Sequence, residues 1–147
     1  MIMSVIALVI SILSGGFALY SFIWTAQRDR KQATLDAYNN LQGEVFDKLN
    51  LLMPSDIREI AKDPKSAQYK EVSGYIARLE HFCVGVNTGI YDRKTVYHLA
   101  HGYLDSKMVE SRISPMIEKK HRNADEDYYE NIHKVLDWMN SQSRDSR

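Results

Sequence analysis

The stretch that decides the architecture of this chain lies at its start, where residues 2–31 read IMSVIALVISILSGGFALYSFIWTAQRDRK. No Asp, Glu, Lys or Arg occurs before position 28, and the 23 residues from Ile2 to Trp24 are all apolar or small. As a helix this segment measures about 35 Å, which exceeds the roughly 30 Å of a bilayer's hydrocarbon core. Tyr20 and Trp24 lie near its end, where aromatic rings favour the headgroup level. The sequence therefore predicts a transmembrane anchor over residues 1–27.

The charges that flank this anchor predict its orientation. Arg28, Arg30 and Lys31 follow the apolar segment directly, whereas no basic residue precedes it. Basic residues are enriched on the cytoplasmic side of membrane spans. We therefore expect a single-pass protein of the cell membrane, with its N-terminus outside and its C-terminal domain in the cytoplasm. A cleaved signal peptide is the weaker alternative, because it carries its basic residues before a shorter apolar run.

Small residues form a stripe along the predicted span. They recur at alternating spacings of three and four residues, which places them on one face of a helix that pairs with another. Helices associate in lipid where small side chains let backbones approach and hydroxyls bond across the interface. We predict that this stripe, called the seam below, mediates self-association into a homo-oligomer; the alternative is that membrane helices are simply rich in small residues. The seam consists of Ser4, Ala7, Ser11, Ser14, Ala18, Ser21 and Thr25.

The composition of the remaining chain limits the classes of partner. All the formal charges of the 147 residues, 19 basic and 19 acidic, follow the anchor and cancel to a net charge of zero. This balance disfavours nucleic acid, because nucleic-acid binders need a basic excess to replace the counterions of phosphates. The single cysteine, Cys83, excludes an internal disulfide and any zinc site built from several cysteines. Its position on an apolar helix face predicts a buried thiol rather than a nucleophile.

Helical periodicity dominates the chain after the anchor. Residues 28–140 show apolar positions at spacings of three and four, whereas residues 141–147 are polar and predict a flexible tail. The predicted fold is all-α, with the transmembrane helix followed by a compact cytosolic bundle of about four to five helices. One of these helices should be kinked near Pro115, because proline disrupts a helix interior, and Ser114 could cap its second half.

Several helix ends are marked in the sequence. One helix should leave the membrane and end at Pro54, and the best amphipathic helix spans Ala67 to Thr88. Gly89 suits the left-handed position after that helix, and Asp92 should cap a helix that continues toward Pro115. Asn123 should cap the last helix.

Four polar residues are candidates for a structural or functional cluster: Glu80, His81, Arg112 and Arg122. Glu80 and His81 adjoin the apolar face of the Ala67–Thr88 helix, where a carboxylate needs a partner such as Arg78, Arg112 or Arg122. The structural interpretation is an ion pair that fixes helix packing. The functional interpretation is a general acid or base in a pocket around Glu80, His81 and Arg112.

Possible metal ligands fail simple tests of helix face. The segments Glu118 to His121 and Glu130 to His133 have the Glu-x-x-His spacing of di-iron bundles. However, Glu130 aligns with Lys134, as in an ordinary surface pair. His98 and His101 share a face but lack a third ligand nearby in the sequence. We therefore predict no metal site and, in the absence of a phosphate-binding loop, no cofactor.

Residues 77–92, which read ARLEHFCVGVNTGIYD, resemble one region of a bacterial protein family. A later proline, the following Arg122 and a terminal amphipathic helix also fit the family, and the similarity extends roughly over residues 20–140. The family is a domain of unknown function, found in short proteins with one N-terminal membrane helix and a helical cytosolic domain. The resemblance implies membrane attachment and an all-α fold, and it implies no activity.

Two functions follow from these features. The first is a non-enzymatic, membrane-anchored interaction module that binds a protein partner or itself. The second is a membrane-tethered effector or enzyme with a site around Glu80, His81 and Arg112. The first is favoured, because no catalytic set of residues shares a helix face.

Overall fold

The computed structural model describes residues 2–117 and 129–145, and its side chains are described at residue 6, from 9 to 117 and from 129 to 142. Every regular element within these ranges is a helix, which confirms the predicted all-α class. The described ranges contain six helices when the π-helical turns are counted with the helices that they interrupt.

The first helix, α1, carries both the apolar segment and part of the domain. It covers Ile2–Leu41, widens into a π-helical turn at Gln42–Phe46 and ends with Asp47–Leu51. This is about 75 Å of continuous helix. Its N-terminal part is long and apolar enough to cross a membrane, and none of the described residues in this apolar stretch is buried. The helix ends as predicted, because Leu52 is extended before Pro54.

The other five helices are shorter and pack around the C-terminal part of α1. The helix α3, Ala67–Asn87, begins where the Ser66 hydroxyl accepts a hydrogen bond from the Tyr69 N–H, and it ends close to the predicted Thr88. Their bounds are Pro54–Ile60 for α2, Ala67–Asn87 for α3, Arg93–Ala100 for α4, Ser106–Met108 with a π turn at Val109–Ile113 and Ser114–Ile117 for α5, and Glu130–Asp145 for α6.

The helices α1 and α3 run antiparallel through the domain. As the residue number rises along α1, the number of its partner on α3 or in the following turn falls. The pairs are Thr34 with Asp92, Tyr38 with Phe82, Glu44 with Arg78, and Lys48 with Tyr75. The turn between α3 and α4 therefore lies at the end of the domain that α1 enters, and the start of α3 lies near Leu51.

The core forms where α3 packs between α1 and α6. Leu49 of α1, Leu79 of α3 and Ile132 of α6 are fully buried in one cluster. Cys83 is also fully buried, which raises the pKa of its thiol through loss of solvation. This placement agrees with the predicted role of Cys83 as a small core residue.

The prediction of one helix from Asp92 toward Pro115 was wrong, because two separate helices cover this range. Asp92 caps α4 as predicted, but α4 ends at Ala100. A second cap then begins α5, where the Asp105 Oδ1 accepts a hydrogen bond from the Met108 N–H at 2.7 Å. This cap was not predicted, because apolar residues on both sides of it keep the helical spacing.

The disruption predicted near Pro115 takes the form of a π turn. The Ser114 N–H donates to the Val109 carbonyl, five residues back, instead of four. The wider turn accommodates Pro115, which has no N–H to donate and whose ring crowds the preceding turn. Ser114 lies inside the helix, with φ −53° and ψ −41°, so its predicted role as an N-cap was wrong.

The last helix starts later than predicted. Tyr129 has φ 79°, a left-handed conformation that a helix cannot pass through, so α6 begins only at Glu130. The predicted cap Asn123 lies outside the described residues. The predicted buried face is confirmed at Ile132, Val135, Leu136 and Met139. The helix continues to Asp145, into the segment predicted as a tail.

Candidate functional site

Glu80 lies where α3 meets the first turn of α6. Its Oε1 accepts hydrogen bonds from the Asn131 backbone N–H at 3.2 Å and from the Asn131 Nδ2 at 2.8 Å. Its Oε2 accepts from the Ile132 N–H at 3.0 Å. The first N–H groups of a helix have no partner within the helix, and the positive end of its dipole attracts a negative charge. The Glu80 carboxylate therefore serves as an N-cap supplied by another helix.

Asn131 extends this contact along α3. Its Oδ1 accepts a hydrogen bond from the Asn87 Nδ2 at 2.9 Å, and its backbone carbonyl accepts from the same group at 3.3 Å. Glu80 and Asn87 are seven residues apart, so they lie on one face of α3. The three side chains form what we call the α3–α6 junction.

The other polar candidates do not join Glu80. His81 is exposed and lines a groove of about 430 Å³ with Arg78 and Glu44. Arg112 lines a different groove with Tyr103, and its buried Nε makes no hydrogen bond within the described residues. Arg122 lies outside the described residues. His81 and Arg112 thus line different grooves, and neither bonds Glu80 within the described residues, so a site around Glu80, His81 and Arg112 stays a prediction.

Among the described residues, the N-terminus of α6 bonds Glu80, and the predicted partners Arg78 and Arg112 do not. Arg78 pairs instead with Glu44, through an Nη1–Oε2 distance of 2.6 Å. Within the described residues, Glu80 has no hydrogen bond or ion pair with an arginine. Both of its oxygens accept hydrogen bonds that hold α6 in place. The spacing of residues along the sequence could not reveal this partner, because Asn131 is distant from Glu80 in the chain.

The possible metal ligands are placed as surface or stacking residues where they are described. Glu130 forms an ion pair with Lys134 one turn later, as predicted. The His101 ring stacks on Tyr97 with a centroid distance of 5.6 Å. Glu118 and His121 lie outside the described residues. In the part of the chain that the structure describes, no three His, Cys, Asp or Glu side chains come together as metal ligands would.

A second polar junction fastens α1 to α4, and the sequence analysis missed it. Thr34 is fully buried, and its hydroxyl donates to the Arg30 carbonyl at 2.7 Å while it accepts from the Asp92 N–H at 2.8 Å. One turn later, the Tyr38 hydroxyl donates to the Leu99 carbonyl at 2.8 Å. We call this set the α1–α4 junction. No local signal in the sequence marked it, because its bonds join Thr34 and Tyr38 to residues 58 and 61 positions away.

The turn that leads into α4 is packed against α3 at a glycine. Gly89 adopts φ 80°, as predicted, and the Tyr91 N–H then donates to the Gly85 carbonyl at 3.1 Å. The Tyr91 ring stacks on Phe82 and lies directly over the Gly85 backbone. A Cβ at position 85 would lie 2.4 Å from this ring, so the close approach requires glycine.

A partly apolar groove lies at the opposite end of the domain, beside the end of α1. Its volume is about 310 Å³. The Lys48 ammonium lies 5.3 Å from the centroid of the Tyr75 ring, and the Tyr75 hydroxyl donates to the Glu71 carboxylate. The groove, called the distal groove below, is lined by Lys48, Leu51, Leu52, Ile60, Gln68, Glu71, Val72 and Tyr75. Leu51 is 84% exposed at the edge of this groove.

These features define an all-helical domain that is built on the extension of one long apolar helix and closed by two polar junctions. The chain belongs to the family Domain of unknown function (DUF4760), whose profile matches residues 8–139. This match confirms the predicted resemblance to a domain of unknown function. Comparison with curated proteins and comparison with solved structures gave no match.

Proposed function

We propose that this chain is a single-span membrane protein whose cytoplasmic helical domain is a non-enzymatic interaction module. The span anchors the domain and pairs with a second copy through the seam. The distal groove binds a segment of a protein partner. The observation that carries this proposal is α1, which continues from the apolar segment into the core of the domain without a break.

The continuity of α1 supports a fixed distance between the bilayer and the distal groove. Trp24 is 27 residues from Leu51, which corresponds to about 40 Å along a helix. A flexible linker would allow the groove any height, whereas a helix fastened by Thr34 and Tyr38 to α4 presents it at one height. An amphipathic helix is the partner class that suits a groove of this kind, because apolar side chains line it together with the charged Lys48 and Glu71.

Protease protection tests the anchor and its orientation. Full-length protein with a C-terminal epitope is expressed, and protease is added to intact cells and to permeabilised cells. We expect the epitope to survive in intact cells and to be lost after permeabilisation, and the chain to resist extraction at alkaline pH. Loss of the epitope in intact cells, or release of the chain into the soluble fraction, would contradict the proposal.

Bulky substitutions test self-association through the seam. We expect Ser11→Leu with Ser14→Leu to weaken association of the span, because large side chains separate the backbones. Ile10→Phe with Leu13→Phe adds bulk off the seam and is the matched control. A membrane two-hybrid assay of the full chain measures both. Equal effects of the two pairs would show that the seam is not the interface.

Site-specific photo-crosslinking tests the distal groove in cells. A photoreactive residue at Gln68 lies in the groove, whereas one at Lys70 lies on the same helix and is exposed outside it. We expect one discrete adduct from position 68, none from position 70, and loss of the adduct when Leu51→Lys is added. Adducts of equal yield from both positions would contradict a specific groove.

A further inference from the structure

The turn between α3 and α4 lies close to the apolar segment of α1. The Arg30 Nη2 donates a hydrogen bond to the Tyr91 carbonyl at 3.4 Å, and the Thr34 hydroxyl accepts one from the Asp92 N–H. Arg30 is six residues beyond Trp24, which is about 9 Å along the helix. The interfacial layer of a bilayer leaflet is about 5–7 Å thick. If Trp24 lies at the headgroup level, this turn lies at the outer edge of the headgroups.

An apolar side chain is exposed at this position. Ile90 follows Gly89 in the turn and is 63% exposed. An apolar residue immediately after the glycine that ends a helix usually packs back against the helix. Here Tyr91 takes that place, since its ring stacks on Phe82 and covers Gly85. Ile90 is therefore left without cover at the end of the domain that faces the span.

Exposed cations lie at the start of α4 and on the part of α1 that contacts this turn. Arg28, Lys31 and Lys94 are exposed, as is Arg30. Of the nearby acids, Asp29 is exposed, whereas the Asp92 carboxylate accepts two hydrogen bonds from Thr95 within the α4 cap. These bonds and the nearby charges of Arg30 and Lys31 lower the pKa of Asp92, in agreement with the hydrogen bond from Arg30 to the turn. Arg93 is excluded from this set, because its guanidinium lies over the Trp138 ring.

We propose that the α3–α4 turn is a second membrane contact, in which Ile90 enters the interfacial layer of an anionic bilayer. Arg28, Arg30, Lys31 and Lys94 contact the lipid phosphates around it. This inference rests on the proposed membrane anchor. The turn adds a second point of support beside the span, and two points fix the tilt of the domain on the membrane, which one helix alone does not.

Full-length protein in vesicles tests this contact with an environment-sensitive fluorophore. The probe is attached to Ile90→Cys, and to Leu51→Cys as a control at the far end of the domain. The buried Cys83 has a raised thiol pKa, so it should not react with the fluorophore. Wild type treated with the same fluorophore is the control for background labelling. The vesicles contain phosphatidylcholine with or without phosphatidylglycerol, and a lipid-attached quencher near the headgroups.

We expect the probe at position 90 to shift its emission to the blue and to be quenched in vesicles with phosphatidylglycerol, while the probe at position 51 is unaffected. Lys94→Gln should weaken this contact about fivefold, the factor expected for one lysine near an anionic surface. Lys70→Gln removes a charge at the distal end and should have no effect.

The outcomes separate this inference from the proposed anchor. If the protein floats with the vesicles but the probe at position 90 stays in water, the second contact is wrong and the anchor stands. If the protein does not float, the anchor itself is wrong and the second contact is wrong with it. Equal effects of Lys94→Gln and Lys70→Gln would overturn the role of the cations.

Discussion

The α1–α4 junction and the α3–α6 junction solve the same problem with different chemistry. Each uses a side chain from one long helix to satisfy the backbone at the end of another helix. At the first, the neutral hydroxyls of Thr34 and Tyr38 are buried. At the second, the carboxylate of Glu80 is only half-buried and accepts three hydrogen bonds.

The difference shows how burial selects the bonding group. A hydroxyl with both a donor and an acceptor partner can be fully buried at small cost, as Thr34 is. A carboxylate loses more solvation, so it remains near solvent and bonds the positive end of a helix. We therefore expect the carboxylate to contribute more to the free energy of unfolding than either hydroxyl does. The contribution of the hydroxyls should depend more on how well their side chains fit the surrounding structure.

The largest effect is expected at the α3–α6 junction. Glu80→Ala leaves the Asn131 and Ile132 N–H groups without their acceptor, and should lower the free energy of unfolding by about 2–4 kcal/mol. Glu80→Gln keeps one acceptor oxygen and should cost about 1–2 kcal/mol. Urea unfolding of the full-length chain in detergent, followed by circular dichroism, measures both variants. If both variants unfold as the wild type does, Glu80 does not hold α6.

The next effect is expected at Gly85, which supports the turn into the α1–α4 junction. Gly85→Ala places a methyl group 2.4 Å from the Tyr91 ring. The displaced ring should cost about 1–3 kcal/mol of unfolding free energy. Gly74 lies in the same helix with no atom near its Cβ position, so Gly74→Ala should instead stabilise α3 by about 0.5–1 kcal/mol. The same unfolding measurement gives the change in unfolding free energy for both variants. If both substitutions stabilise the fold, or both destabilise it, the packing argument is wrong.

A smaller effect is expected at Thr34. Thr34→Val keeps the shape of the side chain but leaves the Asp92 N–H without an acceptor, at a cost of about 1–2 kcal/mol. Thr34→Ser retains the hydroxyl and serves as the control. Hydrogen exchange of the Asp92 amide, read by mass spectrometry, should accelerate in the valine variant and remain slow in the serine variant. Fast exchange in the wild type would contradict the bond.

The smallest effect is expected at Tyr38, and it depends on pH. Burial raises the pKa of Tyr38 to about 12, above its ordinary value of 10.0. The neutral hydroxyl is thus favoured in the folded state, so its contribution is complete below pH 10 and is lost as the pH rises toward 12. Tyr38→Phe should cost about 0.5–1.5 kcal/mol at neutral pH. The stability difference from wild type should shrink between these pH values; a constant difference would contradict this assignment.

Local signals in the sequence predicted the parts of the fold that depend on neighbouring residues. Gly89 and Asp92 mark the end of α3 and the start of α4, because a left-handed glycine and a capping carboxylate act within a few residues. The amphipathic face of α3 was predicted for the same reason. Asp105 was overlooked, although its cap is equally local, because the apolar spacing continued across it.

The contacts of the candidate site could not be predicted, because they join residues that are distant in the chain. Glu80 was identified as a polar residue that needs a partner, but its partner Asn131 is 51 positions away. Thr34 was not identified at all, since an isolated threonine on a helix carries no sign of whether it will be buried. Only packing of α1 against the α3–α4 turn determines that role.

The continuity of α1 has a consequence for the direction in which the domain faces. A helix transmits rotation about its own axis, so the azimuth of the span in the bilayer determines the azimuth of the distal groove. The π turn at Gln42–Phe46 adds a fixed angular offset between them, because five residues there complete a wider turn. Two copies that pair through the seam would therefore hold their grooves at a set angle to each other, and a bivalent partner would have to match that angle.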